Sequence, residues 1–406
     1  MRTWAALLLA ALLCLLTACG GDEDAPSTPA GPESVSLTVW GAEEDEALLA
    51  QIFQSFQAQY QGQARFQITY QPLSESSCKD TLLEDPEAGA DVFAFADDQL
   101  NALAAAGVVD PIENADAIRG QSLSAAADAA SVAGSLYAYP LTSDNGYFLY
   151  YNKAYFTDED IQTLDGLLEA ASAAGGKLAM DWSSGWYVYA FFGNTGLKVG
   201  LSDDGITNFC TWNQADGPIR GVDVAQAMVR IAASPAFANQ TDPEFLEGVR
   251  NGSVIAGVSG VWNAVALQEI WGEHLGAAKL PTFTCAGQQV QMASFSGCKL
   301  VGVNAYSRHP QWASRLAEWI ANEENQCLRF QLRGQGPANR RAAESAEVQD
   351  SPAIAALLEQ SAFSQLQRIG GSYWDPVSEF ALGIASLSGG ELQPALDKMV
   401  EGITAR

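Results

Sequence analysis

The fold of this protein is decided by residues 35–70, VSLTVWGAEEDEALLAQIFQSFQAQYQGQARFQITY. Apolar and polar residues alternate over 35–39, which predicts a β-strand. Apolar residues then recur at helical spacing over 48–60, with acidic residues just before them, and alternation returns over 66–70. A strand, a helix and a second strand joined by short loops are typical of a parallel sheet covered by helices. The stretch therefore predicts an α/β protein.

The same pattern continues along the rest of the chain. Further strands are predicted at 91–95, 147–151, 254–258 and 300–303, and helices at 100–106, 164–174, 222–233 and 261–271. From Pro310 onward the sequence is mostly helical. A length of 406 residues exceeds one ordinary domain of roughly 150 residues. We therefore expect two lobes, each a mainly parallel sheet flanked by helices.

Composition excludes several classes of function. Asp and Glu number 48 against 21 Lys and Arg, a formal net charge of −27, so nucleic acid is not an expected partner. With only two histidines, a histidine metal site or proton relay is not expected. Neither a GxSxG motif, a Walker A loop nor an HExxH motif occurs. We therefore expect neither a cofactor nor a metal.

The first residues predict export. Residues 4–16 form an unbroken apolar run that is shorter than the roughly 20 residues a membrane-spanning helix needs, which indicates a signal peptide over 1–18. The run ends in Leu16-Thr17-Ala18-Cys19, which resembles a bacterial lipobox and predicts a lipid on Cys19. Residues 19–34 lack large apolar side chains and predict a flexible tether. A plain signal peptide with an incidental cysteine is the alternative.

Cysteine usage does not indicate a disulfide scaffold. The five cysteines after Cys19 are an odd number, so at least one is unpaired within the chain. One disulfide, for example between Cys210 and Cys285, is compatible with the sequence, which does not assign it.

Candidate binding residues lie beside Gly- and Ser-containing loops and at predicted strand ends, where α/β proteins place ligands. The aromatic candidates are Phe95, Trp186, Tyr187, Trp262, Tyr373 and Trp374. The polar candidates are Glu43, Glu44, Asp98, Asp144, Asn145 and Asn263. Aromatic faces stack on sugar rings and carboxylates accept hydrogen bonds from hydroxyls. Core packing of the rings, helix capping by the acids, and a carboxylate pair for glycoside hydrolysis are the alternatives.

Several segments, in order, carry a family resemblance. Residues 37–41 (LTVWG) and 89–96 (GADVFAFA) resemble the first and third strands of the extracellular solute-binding proteins of ABC transporters, in their maltose-binding branch. Residues 137–140 (YAYP) and 149–153 (LYYNK) resemble the crossing between lobes in that family, and residues 258–263 (VSGVWN) resemble a ligand loop. The resemblance extends over the chain after the signal peptide.

The resemblance implies two lobes joined by hinge crossovers, with 35–144 and 300–343 in lobe 1 and 145–299 and 344–406 in lobe 2. It implies a monomeric, non-enzymatic protein that captures carbohydrate, with malto-oligosaccharide expected first, and delivers it to the permease subunits of an ABC importer. A protein that binds another solute, such as a polyamine or a peptide, is one alternative. A secreted glycosidase and a surface adhesin are further alternatives.

Overall fold

The computed structural model describes residues 33–202 and 206–405. The predicted signal peptide over 1–18, the lipidation site Cys19 and most of the tether over 19–34 lie outside these residues. Within the described residues, no helix is both long and apolar enough to cross a membrane.

The described residues form 17 strands and 17 α-helices. The strands are β1 Glu33–Gly41, β2 Ala64–Pro72, β3 Val92–Ala96, β4 Ser131–Val132, β5 Ser135–Leu136, β6 Tyr139–Gly146, β7 Phe148–Asn152, β8 Lys177–Met180, β9 Val199–Leu201, β10 Asn208–Cys210, β11 Phe237–Asn239, β12 Val254–Ser259, β13 Leu275–Ala278, β14 Thr282–Cys285, β15 Gln288–Gln291, β16 Ser294–Val303 and β17 Ser364–Leu366. The helices are α1 Glu46–Gln59, α2 Cys78–Glu84, α3 Leu100–Ala105, α4 Ala115–Gln121, α5 Ser124–Ala129, α6 Leu164–Ala173, α7 Gly185–Phe192, α8 Gly221–Ala232, α9 Asp242–Arg250, α10 Ala264–Trp271, α11 Pro310–Ile320, α12 Glu323–Arg333, α13 Arg340–Ala343, α14 Ala346–Gln349, α15 Pro352–Ser361, α16 Trp374–Gly383 and α17 Leu392–Ile403.

The first lobe is built on the sheet predicted from residues 35–70. Its strand order is β17-β16-β3-β1-β2, with β6 also paired to β16. β1 is parallel to both β2 and β3, as expected for strands linked by helices. Leu48, Ile52 and Phe56 of α1 are buried against this sheet in one hydrophobic core.

The second lobe has a five-stranded sheet in the order β11-β8-β12-β7-β13. β8 is parallel to β11 and β12, whereas β7 is antiparallel to β12 and β13. The sheet is therefore mixed rather than mainly parallel. The reason is connectivity, because β7 follows β6 directly out of the first lobe and so does not enter this sheet through a strand–helix–strand unit.

Two strands carry the chain between the lobes. Gly146 ends β6 in the first sheet, and β7 begins at Phe148 in the second. β16 spans both cores, since its Phe295 packs in the second lobe and its Leu300 in the first. β6 and β16 pair antiparallel, so the two crossings lie side by side. The lobe boundaries given above stay a prediction, although the two-lobed α/β architecture itself is observed.

The cysteines of the described residues do not form disulfides. All five cysteines in the described residues are free, including Cys210 on β10 and Cys285 on β14. The disulfide considered between them is therefore absent from the structure.

Candidate ligand-binding cavity between the lobes

A cavity of about 1200 Å³ lies between the lobes and is lined by both. A specific small-molecule site usually has about 300–1,000 Å³, so this cavity has room for a ligand of several rings. Nine of the twelve binding residues predicted from the sequence line it. They are Glu43, Glu44, Asp98, Asn145, Trp186, Tyr187, Trp262, Asn263 and Trp374.

The other three predicted residues do not line the cavity. Phe95 is fully buried in the first core, where its ring centroid lies 5.4 Å from that of Phe93. Asp144 is buried and accepts a hydrogen bond from the Gly336 backbone, beside the interlobe crossing. Tyr373 is buried and donates to the Gly185 carbonyl at 3.0 Å. All three side chains are buried in contact with other parts of the protein, so they do not reach the cavity.

The wall from the second lobe is aromatic. Trp186 is in the first turn of α7, Trp262 lies in a 3₁₀ turn just before α10, and Trp374 begins α16. Each of these indoles is only partly buried and lines the cavity. The ring of Phe295, from the crossing strand β16, packs against two of them, with centroids 5.4 Å from Trp186 and 6.3 Å from Trp374. Helix N-termini thus present three Trp rings to the cavity, and a fully buried Phe ring supports two of them.

The wall from the first lobe is polar and charged. Lys299 on β16 donates to Glu75 Oε1 at 2.9 Å, and both side chains line the cavity. Burial opposes the charge on Lys299, but Glu75 and Asp45 together raise the pKa of this amine. The Gln99 amide donates to the Glu75 carbonyl at 2.7 Å and accepts from the Lys79 backbone at 2.9 Å. Gln99 therefore ties the loop that carries Glu75 to the end of β3.

A buried ion cluster supports this wall. Asp45 pairs with Arg329 and, through Oδ1, with Arg333 Nε at 2.9 Å. Burial alone would raise the pKa of Asp45, but the two guanidiniums and Lys299 lower it, so that carboxylate is charged. Arg329 donates through Nη1 to Asp45 and to Gln335, whereas Arg333 lines the cavity. Asp45 thus fixes the guanidinium of a side chain that lines the cavity.

Two aspartates that follow β3 have pKa values above the usual value for this side chain. Burial raises the pKa of Asp97 to about 6 despite its hydrogen bond from the Cys298 backbone. Burial, with a further contribution from the charge of Asp97, raises the pKa of Asp98 to about 7. One oxygen of each carboxyl has no hydrogen-bond partner among the described residues. Asp98 lines the cavity and is therefore an acid with unused hydrogen-bonding capacity there.

Sequence reasoning missed several cavity residues, notably Lys299, Arg333 and Asp242. Lys299 and Arg333 are far in sequence from the predicted ligand loops, and only the crossing strand and α12 bring them to the cavity. A signal for Asp242 did exist. Thr241 and Glu244 form a capping box, the Thr-x-x-Glu pattern that marks a helix start, and helix starts border this cavity.

Within the described residues, no group of three His, Cys, Asp or Glu side chains is arranged to hold a metal ion.

Known proteins share this sequence and architecture. Residues 51–356 match the family model of the bacterial extracellular solute-binding proteins. A galactooligosaccharide-binding protein of Bacillus subtilis (strain 168) is 25% identical over 376 residues, which cover 88% of this chain and 86% of that protein. The maltodextrin-binding protein MdxE of the same strain is 26% identical over 250 residues, covering 57% of this chain and 56% of its own length.

Solved structures agree on the fold. A protein whose structure was determined with acarbose superposes with a TM-score of 0.81 at 27% identity, covering 91% of this chain and 99% of that one. The maltodextrin-binding protein MalE1 of L. casei BL23, without ligand, gives 0.75 at 24% identity, covering 92% and 100%. The family match spans most of the chain, and both lobes are shared with these structures. The chain therefore belongs to the bacterial extracellular solute-binding proteins, and its place of action is outside the cytoplasm.

Proposed function

We propose that this protein captures an oligosaccharide between its lobes and delivers it to the permease of an ABC importer. The observation that carries the proposal is the pairing of three partly exposed indoles on one wall with a hydrogen-bonding wall opposite. Sugar rings have apolar C–H faces and a rim of hydroxyls, so they need both kinds of surface. The cavity volume favours several sugar units over one.

Malto-oligosaccharides are the first ligand class we expect. The relatives support this class and a second one, since one is a maltodextrin-binding protein and the other a galactooligosaccharide-binding protein. The structural neighbour at 27% identity was determined with acarbose. Both classes offer a chain of pyranose rings to the indoles.

The proposed mechanism is closure of the two lobes on the ligand. A sugar stacked on the second lobe brings hydroxyls toward Asp98, Arg333 and the Lys299–Glu75 pair of the first lobe. Only contacts that are stronger in the closed state shift the population toward it. The closed form then docks on the permease, where ATP hydrolysis occurs on other subunits. This chain then acts without catalysis and without a cofactor.

We further propose that the protein is a monomer tethered to the cell membrane. Its anchor would be a lipid on Cys19, and residues 19–34 would span the distance to the first lobe. Replacing Cys19 by Ala should move the protein from the membrane fraction to the soluble fraction and remove the lipid mass from its N-terminus. Retention of the lipid mass in that variant would contradict the assignment of Cys19.

Thermal unfolding of the purified protein with a ligand panel tests the proposal. The panel contains maltotriose, longer glucans, galacto-oligosaccharides, acarbose, spermidine and a tripeptide. A ligand at 100 times its dissociation constant stabilises the folded state by about 2.7 kcal/mol, which a melt detects. We expect a shift with one glycan class and recovery of that glycan intact. Hydrolysis of the glycan would favour a glycosidase, and a shift only with spermidine or the peptide would reject the carbohydrate.

A further inference from the structure

The carboxylate of Asp242 is the centre of a hydrogen-bond network in the aromatic wall. Its Oδ2 accepts from the Tyr187 hydroxyl at 3.2 Å and from Trp262 Nε1 at 3.0 Å. Its Oδ1 accepts from the Ser259 hydroxyl at 2.7 Å and from Asn263 Nδ2 at 3.0 Å. Three separate segments, α7, the end of β12 and the turn before α10, thus meet at one side chain.

Helix capping does not explain the hydrogen bonds that the Asp242 side chain makes. Asp242 is the first residue of α9, but Thr241 and Glu244 already form the capping box there, with the Thr241 backbone donating to Glu244 at 2.9 Å. Asp242 instead faces away from its own helix, toward the cavity that it lines. Its four hydrogen bonds are all to side chains of other elements.

Only a carboxylate satisfies all four donors. An ionised carboxylate accepts at both oxygens and donates at neither. An Asn in the same place would direct its NH₂ group at either the Trp262 indole N–H or the Asn263 NH₂ group, both of which donate, and would lose at least that hydrogen bond. Burial raises the pKa of Asp242, and the donors Ser259, Trp262 and Tyr187 oppose that rise by stabilising the charged form.

Two contacts restrict rotation of the Trp262 ring: the hydrogen bond from its N–H to Asp242, and the packing of its ring face on the Gly260 backbone. A Cβ added at Gly260 would come within 2.1 Å of the indole, so the ring lies directly on that residue's Cα. The indole N–H then points to Asp242. Rotation of the ring away from this position would break the hydrogen bond and the contact with Gly260. Tyr187 has little freedom either, since it is buried and its ring lies 5.0 Å from that of Tyr147.

We propose that Asp242 is a positioning residue, which holds the Trp262 and Tyr187 rings in the orientation that the ligand meets. This inference rests on the proposed function, because the rings matter to binding only if they form the sugar-facing wall. The hydrogen bonds from the two rings to Asp242 lie within the protein, so they do not depend on which ligand binds. It predicts that loss of the carboxylate disorders the aromatic wall before it unfolds the lobe.

The test compares Asp242→Asn with Glu244→Gln. Both variants remove one negative charge from the first turn of α9, but only the first removes acceptors from the rings. In near-ultraviolet circular dichroism of the ligand-free protein, we expect Asp242→Asn to lose the indole band that Trp262→Phe also loses. Glu244→Gln should keep that band. An unchanged band in Asp242→Asn, with the fold intact, would overturn the proposal.

Binding gives the second readout, with maltotriose as the probe in titration calorimetry. Loss of hydrogen bonds to a buried charge should raise the dissociation constant about tenfold in Asp242→Asn. In a Trp262→Phe background the same change should cost clearly less, because the ring that Asp242 orients is already altered. Full additivity of the two changes would mean that Asp242 acts independently of Trp262, which contradicts a positioning role.

The two readouts separate this inference from the proposed function. If the wild-type protein binds no glycan, the carbohydrate proposal fails, and the ligand-free spectra still decide whether Asp242 orders the rings. If the wild-type protein binds maltotriose while the spectra of Asp242→Asn match the wild type, the inference fails and the proposed function stands.

Discussion

The two walls of the cavity differ in how they are held in place. The aromatic wall of the second lobe is made of side chains at helix starts, supported by packing on Phe295 and by neutral donors directed at one carboxylate. The polar wall of the first lobe is held by charges, with Asp45, Arg329 and Arg333 buried together and Lys299 paired to Glu75. One wall depends on ring packing and on hydrogen bonds to a single carboxylate, and the other depends on compensation between several charges.

This difference separates binding from stability. Removing a partly exposed ring removes ligand contact and little core packing. Removing one member of a buried ion cluster leaves its partners uncompensated, which destabilises the lobe itself. We therefore expect variants of the two walls to change different measurements, and each prediction below tests that separation.

The largest effect is expected for Asp45→Asn in the polar wall. The substitution leaves Arg329 buried without its anionic partner, which should lower the free energy of unfolding by about 3–5 kcal/mol. Urea unfolding measures this change. Glu44→Gln, one position earlier on the exposed side of the same turn, is the control and should leave the midpoint nearly unchanged. Equal midpoints for the two variants would show that the charge cluster does not support this wall.

Trp374→Ala in the aromatic wall should have the next largest effect, and chiefly on binding. Truncating an aromatic anchor typically costs about 2 kcal/mol or more, so we expect a dissociation constant for maltotriose roughly 30-fold higher. Calorimetry measures it. Trp319→Ala is the matched control, because Trp319 is a partly buried indole on α11 outside the cavity. A similar loss of affinity in both variants would contradict a stacking role for Trp374.

A smaller effect is expected from pH. The pKa of Asp97 is about 6 and that of Asp98 about 7, both above the unfolded value of about 3.9. At a pH between the unfolded and the folded pKa values, these carboxyls bind more protons in the folded state than in the unfolded state. The free energy of unfolding should therefore fall as pH rises from about 4 to about 7. Thermal midpoints across this range measure the slope. Asp98→Asn should flatten it, whereas removal of the exposed carboxylate of Asp375 should not.

The smallest effect is expected for Glu43→Gln at the cavity rim. This side chain lines the cavity but is exposed and has no hydrogen bond within the described residues. An exposed carboxylate contributes little to holding a neutral sugar, so the dissociation constant should change by less than about threefold. A larger change for maltotriose would show that Glu43 contacts the ligand directly when the lobes close.

The sequence predicted the local structure closely, and the reason is that periodicity is a local property. The helix predicted over 164–174 is Leu164–Ala173, and the one predicted over 222–233 is Gly221–Ala232. The strand predicted over 300–303 is instead the longer β16, Ser294–Val303. Its first half contains polar and small residues, and only pairing with β6 and β17 makes it a strand.

The candidate site was predicted in outline for a similar reason. Glycine-containing loops beside aromatic residues pointed to Trp186, Trp262 and Trp374, which line the cavity. The same reasoning selected Phe95 and Tyr373, which are buried, because a sequence pattern does not tell which face of an element meets the cavity.

What the sequence determined by itself was the order of strands and helices, the excess of negative charge and the family. These depend on residue type and spacing along the chain. Only the tertiary structure decided which residues line the cavity. Lys299, Arg333 and Asp242 are brought to one space by the crossing strand and by two helices that start or end there. Contacts between residues distant in sequence arise from packing, which no local pattern encodes.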